Sequence, residues 1–207
     1  MILTYHGKSF IKATLGNTTL AFSPIGKDSD MKGARFGADM ALICANHEDY
    51  NGADQVTYAG TEPFIIDGPG EYELSGTFVK GFASKGPKGG VNTIYKLEFD
   101  GMKLVHLGAL ASADLDPHTL EAIGEVDILF IPVYGGEVLT VGDAHKLATR
   151  LDPKVIVPLY FGGDKNDSLA GYLKEAGEKN LEAVEKYTVK AKEIEALEGE
   201  TVVIKSF

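Results

Sequence analysis

The sequence predicts an α/β protein in which two β-sheets are flanked by helices. Three observations carry this. Gly is frequent, at 25 of 207 residues, and the apolar runs between glycines are short. That is the signature of many short strands joined by turns. In Thr93–Phe99, the side chains of Tyr95, Leu97 and Phe99 alternate with Lys96 and Glu98, the period of a half-buried strand. From Asp116 onward, continuous apolar runs alternate with capped amphipathic segments, the order of strand and helix in an α/β half.

The elements follow in order. Ile2–Tyr5, Ser9–Thr14 and Thr19–Phe22 read as an opening meander, separated by Gly7 and by Gly16-Asn17. Residues 23–37 are polar and Gly-containing, hence a loop. Met40–Cys44 is a short buried strand. Phe64–Ile66 and Tyr72–Leu74 flank the turn Asp67-Gly68-Pro69-Gly70, and Thr77–Phe82 is a further strand. Residues 85–90 form a loop without an apolar side chain. Asp100-Gly101 then turns Thr93–Phe99 into a hairpin partner, Met102–His106. Asp116 caps a helix with Pro117 at its first position and Gly124 at its end. Ile128–Val133 and Val155–Leu159 are apolar throughout, as strands buried on both faces are. Between them, Asp143–Leu151 is helical, with Ala144, Leu147, Ala148 and Leu151 on one side. Asp167 caps a helix carrying Leu169, Tyr172, Leu173 and Ala176 and closed by Gly177, and Thr201–Ile204 is a terminal strand. No Pro/Ser-rich linker interrupts the chain, so one domain over residues 1–207 is expected.

Composition excludes several classes. A net charge of −10, from 20 Lys+Arg against 30 Asp+Glu, argues against a large nucleic-acid surface. No run approaches the ~20 apolar residues of a membrane span. The opening Met1–His6 lacks the basic and apolar regions of a secretory signal, and the single cysteine, Cys44, rules out an internal disulfide framework. A cytoplasmic protein without a membrane partner is expected. The sequence names no partner and leaves a homo-oligomer open.

Five histidines are present, and His118 and His145 lie on expected helices among surface residues. The chemistry concentrates in Cys44-Ala45-Asn46-His47-Glu48-Asp49-Tyr50-Asn51-Gly52, which leaves the end of a buried strand. Strand C-terminal ends are where α/β folds place sites. His47 and Asp49 are two apart and could share a metal, but two ligands are fewer than the three or four that zinc requires.

At this loop the chain resembles the metallo-β-lactamase superfamily, whose signature is His-x-His-x-Asp-His. Further motifs in order are similar to a branch of small Zn-dependent hydrolases related to ascorbate-6-phosphate lactonase. They are Tyr5-His6-Gly7-Lys8-Ser9, Asp67-Gly68-Pro69-Gly70-Glu71-Tyr72-Glu73, Asn92-Thr93-Ile94-Tyr95, His106-Leu107-Gly108, Asp127–Pro132 with Gly135 and Gly136, and Pro153–Pro158. The resemblance implies an αββα sandwich, two face-to-face sheets with helices outside. It also implies metal ions that lower the pKa of a bound water to about 7.

Mapped position by position, the resemblance puts the first signature histidine on Ala45 and the third on Tyr50, and keeps His47 and Asp49. A further histidine is missing from residues 85–90. The bridging aspartate falls on Ala109 and the last histidine on Tyr160. Two of the seven ligand positions survive, and Ala45, Tyr50, Ala109 and Tyr160 read as vestigial. Tyr50 and Tyr160 would fill the space, with their hydroxyls bonded to His47 or Asp49.

Three functional readings follow. The first is a metallo-β-lactamase-fold protein without catalysis or cofactor, serving binding, regulation or assembly. The second is a metal-dependent hydrolase of lactones or phosphoesters. Its mononuclear site on His47, Asp49 and His106, completed by Asp67 or Glu71, would take zinc, iron or manganese, with Asp49 as the catalytic candidate. The third is metal-free acid–base chemistry by His47 with Asp49 and Tyr50.

Overall fold

The computed structural model describes residues 1–58, 60–159, 168–178 and 181–206. Its N-terminal part builds one mixed sheet from β1 (Ile2–Tyr5), β2 (Ile11–Leu15), β3 (Thr18–Phe22), β4 (Met40–Leu42) and β5 (Phe64–Ile66). A second sheet contains β6 (Gly70–Leu74), β7 (Thr77–Lys85), β8 (Val91–Phe99), β9 (Met102–His106), β10 (Ile128–Pro132) and β11 (Val155–Leu159). Helices α1 (Pro117–Ile123), α2 (Val141–Leu151), α3 (Ser168–Glu175) and α4 (Ala191–Ile194) lie between or after these strands. The short strands β12 (Tyr187–Thr188) and β13 (Glu200–Thr201) complete the two sheets.

The first sheet has the order β12-β1-β2-β3-β4-β5, and the second β13-β11-β10-β9-β8-β7-β6. In the second, β6 to β9 are antiparallel, whereas β9, β10, β11 and β13 run parallel. The parallel half is where the sequence is apolar throughout, because helices cover its outer face.

Burial divides into layers. Leu3, Ile11, Leu20, Phe22, Met40 and Leu42 of the first sheet pack against Tyr95, Leu97, Leu104, Phe130, Val155 and Val157 of the second, forming the core between them. A second cluster joins Ile94, Val105, Leu129 and Ile131 on the outer face of the second sheet to Ile123, Leu147 and Tyr172 of α1, α2 and α3. A third, with Phe10, Ala21, Ile25, Ala41, Ile43 and Val56, covers the outer face of the first sheet with loop residues. The result is the expected pair of face-to-face sheets with helices outside, although α1, α2 and α3 all cover the second sheet while loops and the short 3₁₀ turn Ala53–Val56 cover the first.

Several boundaries differ from the sequence reading. The second strand begins at Ile11 rather than Ser9, because the Ser9 hydroxyl turns inward to donate to Gly108 O at 2.9 Å and Phe10 N closes a turn on Gly7 O. The helix expected from Asp143 starts at Val141. Thr140 is its cap, its hydroxyl accepting from Asp143 N at 3.1 Å. The terminal strand is shorter than Thr201–Ile204, since only Glu200–Thr201 pairs as a strand with β11 and Ile204 makes an isolated bridge to Val184. The cap expected at Asp167 lies outside the described residues. The cap of α1 is as expected: Asp116 accepts from His118 N and Thr119 N, both at 3.0 Å.

Candidate functional site

Strand β4 delivers the chain to the site. Beyond it, Ile43 N bonds Ile66 O at 2.7 Å, and Cys44 O accepts from Thr93 N at 2.7 Å, tying the two sheets together. The buried Tyr95 hydroxyl donates to Ile43 O at 2.7 Å and approaches Ile66 O at 3.1 Å. The loop then folds on itself through Tyr50 N to His47 O at 2.9 Å and Asn51 N to His47 O at 2.8 Å. Gly52 closes it against the preceding loop. A Cβ there would lie 2.3 Å from Ile25 O, so only glycine fits.

This loop forms one wall of a cleft of about 400 Å³. His47, Asp49, Tyr50, Asp67, Lys88 and Glu137 line it, bringing together β4, the β5–β6 turn, the β7–β8 loop and the loop after β10. Of the acidic residues offered to complete a metal site, Asp67 is exposed on the wall of this cleft. Glu71 lies on β6 in an exposed ion pair with Lys80 at 2.8 Å.

One oxygen of Asp49 is engaged twice, and the other lies 3.8 Å from His47 Nδ1. The Lys8 ammonium forms an ion pair with Asp49 Oδ1, and the Ser29 hydroxyl donates to the same oxygen at 2.6 Å. Lys8 in turn donates to Ser29 Oγ at 3.3 Å, closing a triangle. Both charged side chains are largely shielded, Asp49 16% and Lys8 19% exposed. Burial pushes the Asp49 carboxyl up. The hydrogen bonds from Lys8 and Ser29 and the charges of Lys8 and His47 outweigh this and hold it below the ordinary carboxylate range.

The hairpin between β1 and β2 presents Lys8. Its backbone sits at φ 49°, a left-handed conformation rare for a residue with a Cβ, and Tyr5 OH holds its carbonyl at 2.8 Å. A local backbone penalty is thus accepted where the lysine reaches Asp49.

His47 is half-exposed, and its ring packs on Tyr50 with centroids 5.9 Å apart. Its Nδ1 accepts from Asp49 N at 3.2 Å, which puts the proton of the neutral ring on Nε2. His106 is fully buried and stacked on Phe22 at 5.1 Å. Its Nδ1 accepts from Gly108 N at 3.1 Å and its Nε2 lies 2.8 Å from Ser9 O, so both ring nitrogens are engaged. Burial lowers its pKa to about 4, partly opposed by the Ser9 carbonyl. The buried, neutral His106 keeps no free lone pair, and a metal ligand needs one.

The other mapped positions are equally specific. Ala45 lines the cleft half-buried. Ala109 is buried, its N–H donating to Asn92 Oδ1 at 2.8 Å. Asn92 also donates to Leu107 O at 3.0 Å and Ser84 Oγ at 2.8 Å, fixing the turn at Gly108. Tyr50 is buried at 2% exposure beside His47, filling space as expected. Asp49 Oδ1 takes its bonds from the Lys8 ammonium and the Ser29 hydroxyl, which together satisfy a shielded carboxylate. Tyr160 lies outside the described residues. Cys44 also lines the cleft, but burial raises its thiol to about 11 and leaves it protonated and unreactive.

Lys8 and Ser29 are thus the site residues that sequence reasoning missed. Lys8 stands in a Gly-containing turn and Ser29 in a polar loop, positions that carry no local chemical signal. Among the described residues, no group of three His, Cys, Asp or Glu is placed to hold a metal ion, and His47, Asp49 and His106 are not brought together as one set. The described residues therefore do not fit the metal centre that the resemblance implies.

Known proteins give the fold a context. The family described as the beta-lactamase superfamily domain matches residues 2–160. A metal-dependent hydrolase of Lysinibacillus sphaericus (strain C3-41) is 25% identical over 199 residues, covering 78% of this chain and 85% of its own. A crystal structure from Thermotoga maritima, a candidate Zn-dependent hydrolase of the metallo-beta-lactamase superfamily, superimposes with a TM-score of 0.81 at 24% identity, covering 100% of this chain and 99% of its own. A candidate metal-dependent hydrolase from Parabacteroides distasonis ATCC 8503 follows with a TM-score of 0.67 at 17% identity, over 99% and 93%. No helix among the described residues is long and apolar enough to cross a membrane.

Proposed function

Because this chain belongs to the metallo-β-lactamase superfamily, we propose that it keeps the fold and cleft of that superfamily's metal-dependent hydrolases without their metal chemistry, and serves as a binding or regulatory protein. One observation carries this reading. The one carboxylate retained from the superfamily signature, Asp49, is neutralised by Lys8 and bonded by Ser29. A divalent ion at Asp49 would have to displace a tethered ammonium and would sit close to its positive charge.

The names of the relatives favour a metal cofactor, and the alternative is a mononuclear hydrolase centre on His47, Asp49 and His106. That centre would require His106 to leave Ser9 and Gly108 inside a packed core, His47 to exchange its Nδ1 hydrogen bond, and Lys8 to move. Each of these steps breaks a satisfied polar contact, at roughly 1–3 kcal/mol for each buried group left unpaired. A protein of this kind would act without a resident metal and, on the composition of the chain, in the cytoplasm.

Zinc titration by calorimetry at neutral pH tests the reading. The wild-type protein is expected to show no saturable heat at micromolar zinc. A variant combining Lys8→Ala, Ala45→His, Tyr50→His and Ala109→Asp is expected to gain it, because it restores ligands and removes the competing cation. One equivalent bound by the wild type and abolished by His47→Ala would overturn the reading and favour the mononuclear metal centre instead.

A further inference from the structure

Behind the loop that carries Asp49, residues 25–35 fold into a second, smaller pocket of about 260 Å³. Its charged lining residues are Lys27, Lys32 and Arg35, and no carboxylate lines it. In a chain of net charge −10 this is a local inversion of sign. Among the described residues, none of the three cations forms an ion pair, although Asp28 and Asp30 stand in the same loop.

The guanidinium of Arg35 is held in place. Its Nε donates to Gln55 Oε1 at 2.9 Å, and Gln55 is buried at 7% exposure. The amide of Gln55 donates to Asp54 Oδ2, which fixes its oxygen toward Arg35. The Nε anchor leaves the terminal guanidinium nitrogens to a ligand, and a planar fork of that kind matches phosphate geometry. The loop closes tightly enough to bring the lysines to the same rim: a Cβ on Gly33 would lie 2.9 Å from Ile25 O.

We propose that this pocket is a binding site for a phosphate group, free or carried by a small phosphomonoester. Three unpaired cations favour a dianion over a monocarboxylate. The volume lies just below the ~300–1,000 Å³ range of sites for drug-sized ligands, so it suits a compact anion with any organic part outside the rim. Ser29 lines this pocket and donates to Asp49 of the cleft, so an occupant would be linked to the cleft through one hydrogen bond. The site is separate from the cleft, and its test is independent of whether a metal binds there.

The test is thermal unfolding and calorimetry of the full chain, with inorganic phosphate and glucose 6-phosphate each titrated at constant ionic strength against sodium chloride. A saturable rise in Tm with at least one of them is expected. Phosphate alone would identify the free ion as the ligand, and tighter binding of the ester would identify a phosphorylated small molecule. Arg35→Gln is expected to weaken the Kd at least about tenfold. Lys27→Ala with Lys32→Ala, both exposed, is expected to do the same. Shifts no larger than those of chloride, or lysine variants that retain the wild-type Kd, would overturn the proposal.

Discussion

His106 makes the stability of the protein depend on pH in a calculable way. The ring is fully buried, its Nδ1 takes the Gly108 N–H, and its pKa is lowered from 6.5 to about 4. In the unfolded chain it protonates near 6.5. Between these values the unfolded state binds the proton and the folded state does not, so acid favours unfolding. The stabilisation is complete above the unfolded pKa and is lost as pH falls toward the folded one. Going from about pH 8 to about pH 5.5, the two pKa values give a loss of about 1.5 kcal/mol from this residue alone. Asp49, whose pKa is also depressed, contributes only at lower pH, when its carboxylate takes up a proton. His6 is lowered to about 4 by burial and by Lys12, and titrates in the same window. A comparison of variants therefore isolates His106. Urea unfolding of the wild type and His106→Gln at the two pH values should show the wild type losing about 1.5 kcal/mol more than the variant. Equal losses would refute the burial argument. If His106→Gln does not fold, the ring titration followed by NMR replaces it, with a midpoint near the unperturbed value as the refuting result.

Asn92→Ala should be among the more damaging single changes near the site. It removes the partners of Leu107 O and Ala109 N, both in buried residues, and is expected to cost about 3 kcal/mol in a urea melt; a loss under about 1 kcal/mol would contradict the role given to its amide. Lys8→Ala leaves Asp49 shielded with only Ser29 as donor, and should destabilise by about 1–2 kcal/mol at neutral pH and by less once the carboxyl is protonated, as acid and neutral unfolding curves would show. Gly52→Ala should lower Tm by several degrees and alter the amide spectrum of residues 25–26 and 44–52, because its Cβ would overlap Ile25 O.

The fold was legible where the signals are local. Asp116, Pro117 and Gly124 bracket α1 without reference to the rest of the chain, and the apolar run of β10 needs only its own composition. The errors lie where distant residues decide. Ser9 leaves the strand pattern because Gly108, 99 residues away, takes its hydroxyl. The two-residue strand β12 has no periodicity to read and exists only by pairing with β1. The site divides in the same way. His47 and Asp49 were found because they follow a buried strand in a recognisable order. Lys8 was not, because an ion pair between residues 41 apart leaves no trace in either local sequence. His106 was placed at a strand end correctly, but only the packed structure shows that Ser9 and Gly108 use both its nitrogens.

Metal content measured by mass spectrometry, on untagged protein purified without chelators, tests the central claim most directly. With Lys8 on Asp49 and His106 committed to Ser9 and Gly108, zinc, iron and manganese together should amount to less than about a tenth of an equivalent. A full equivalent that disappears in His47→Ala would contradict the account and show a metal centre that uses His47.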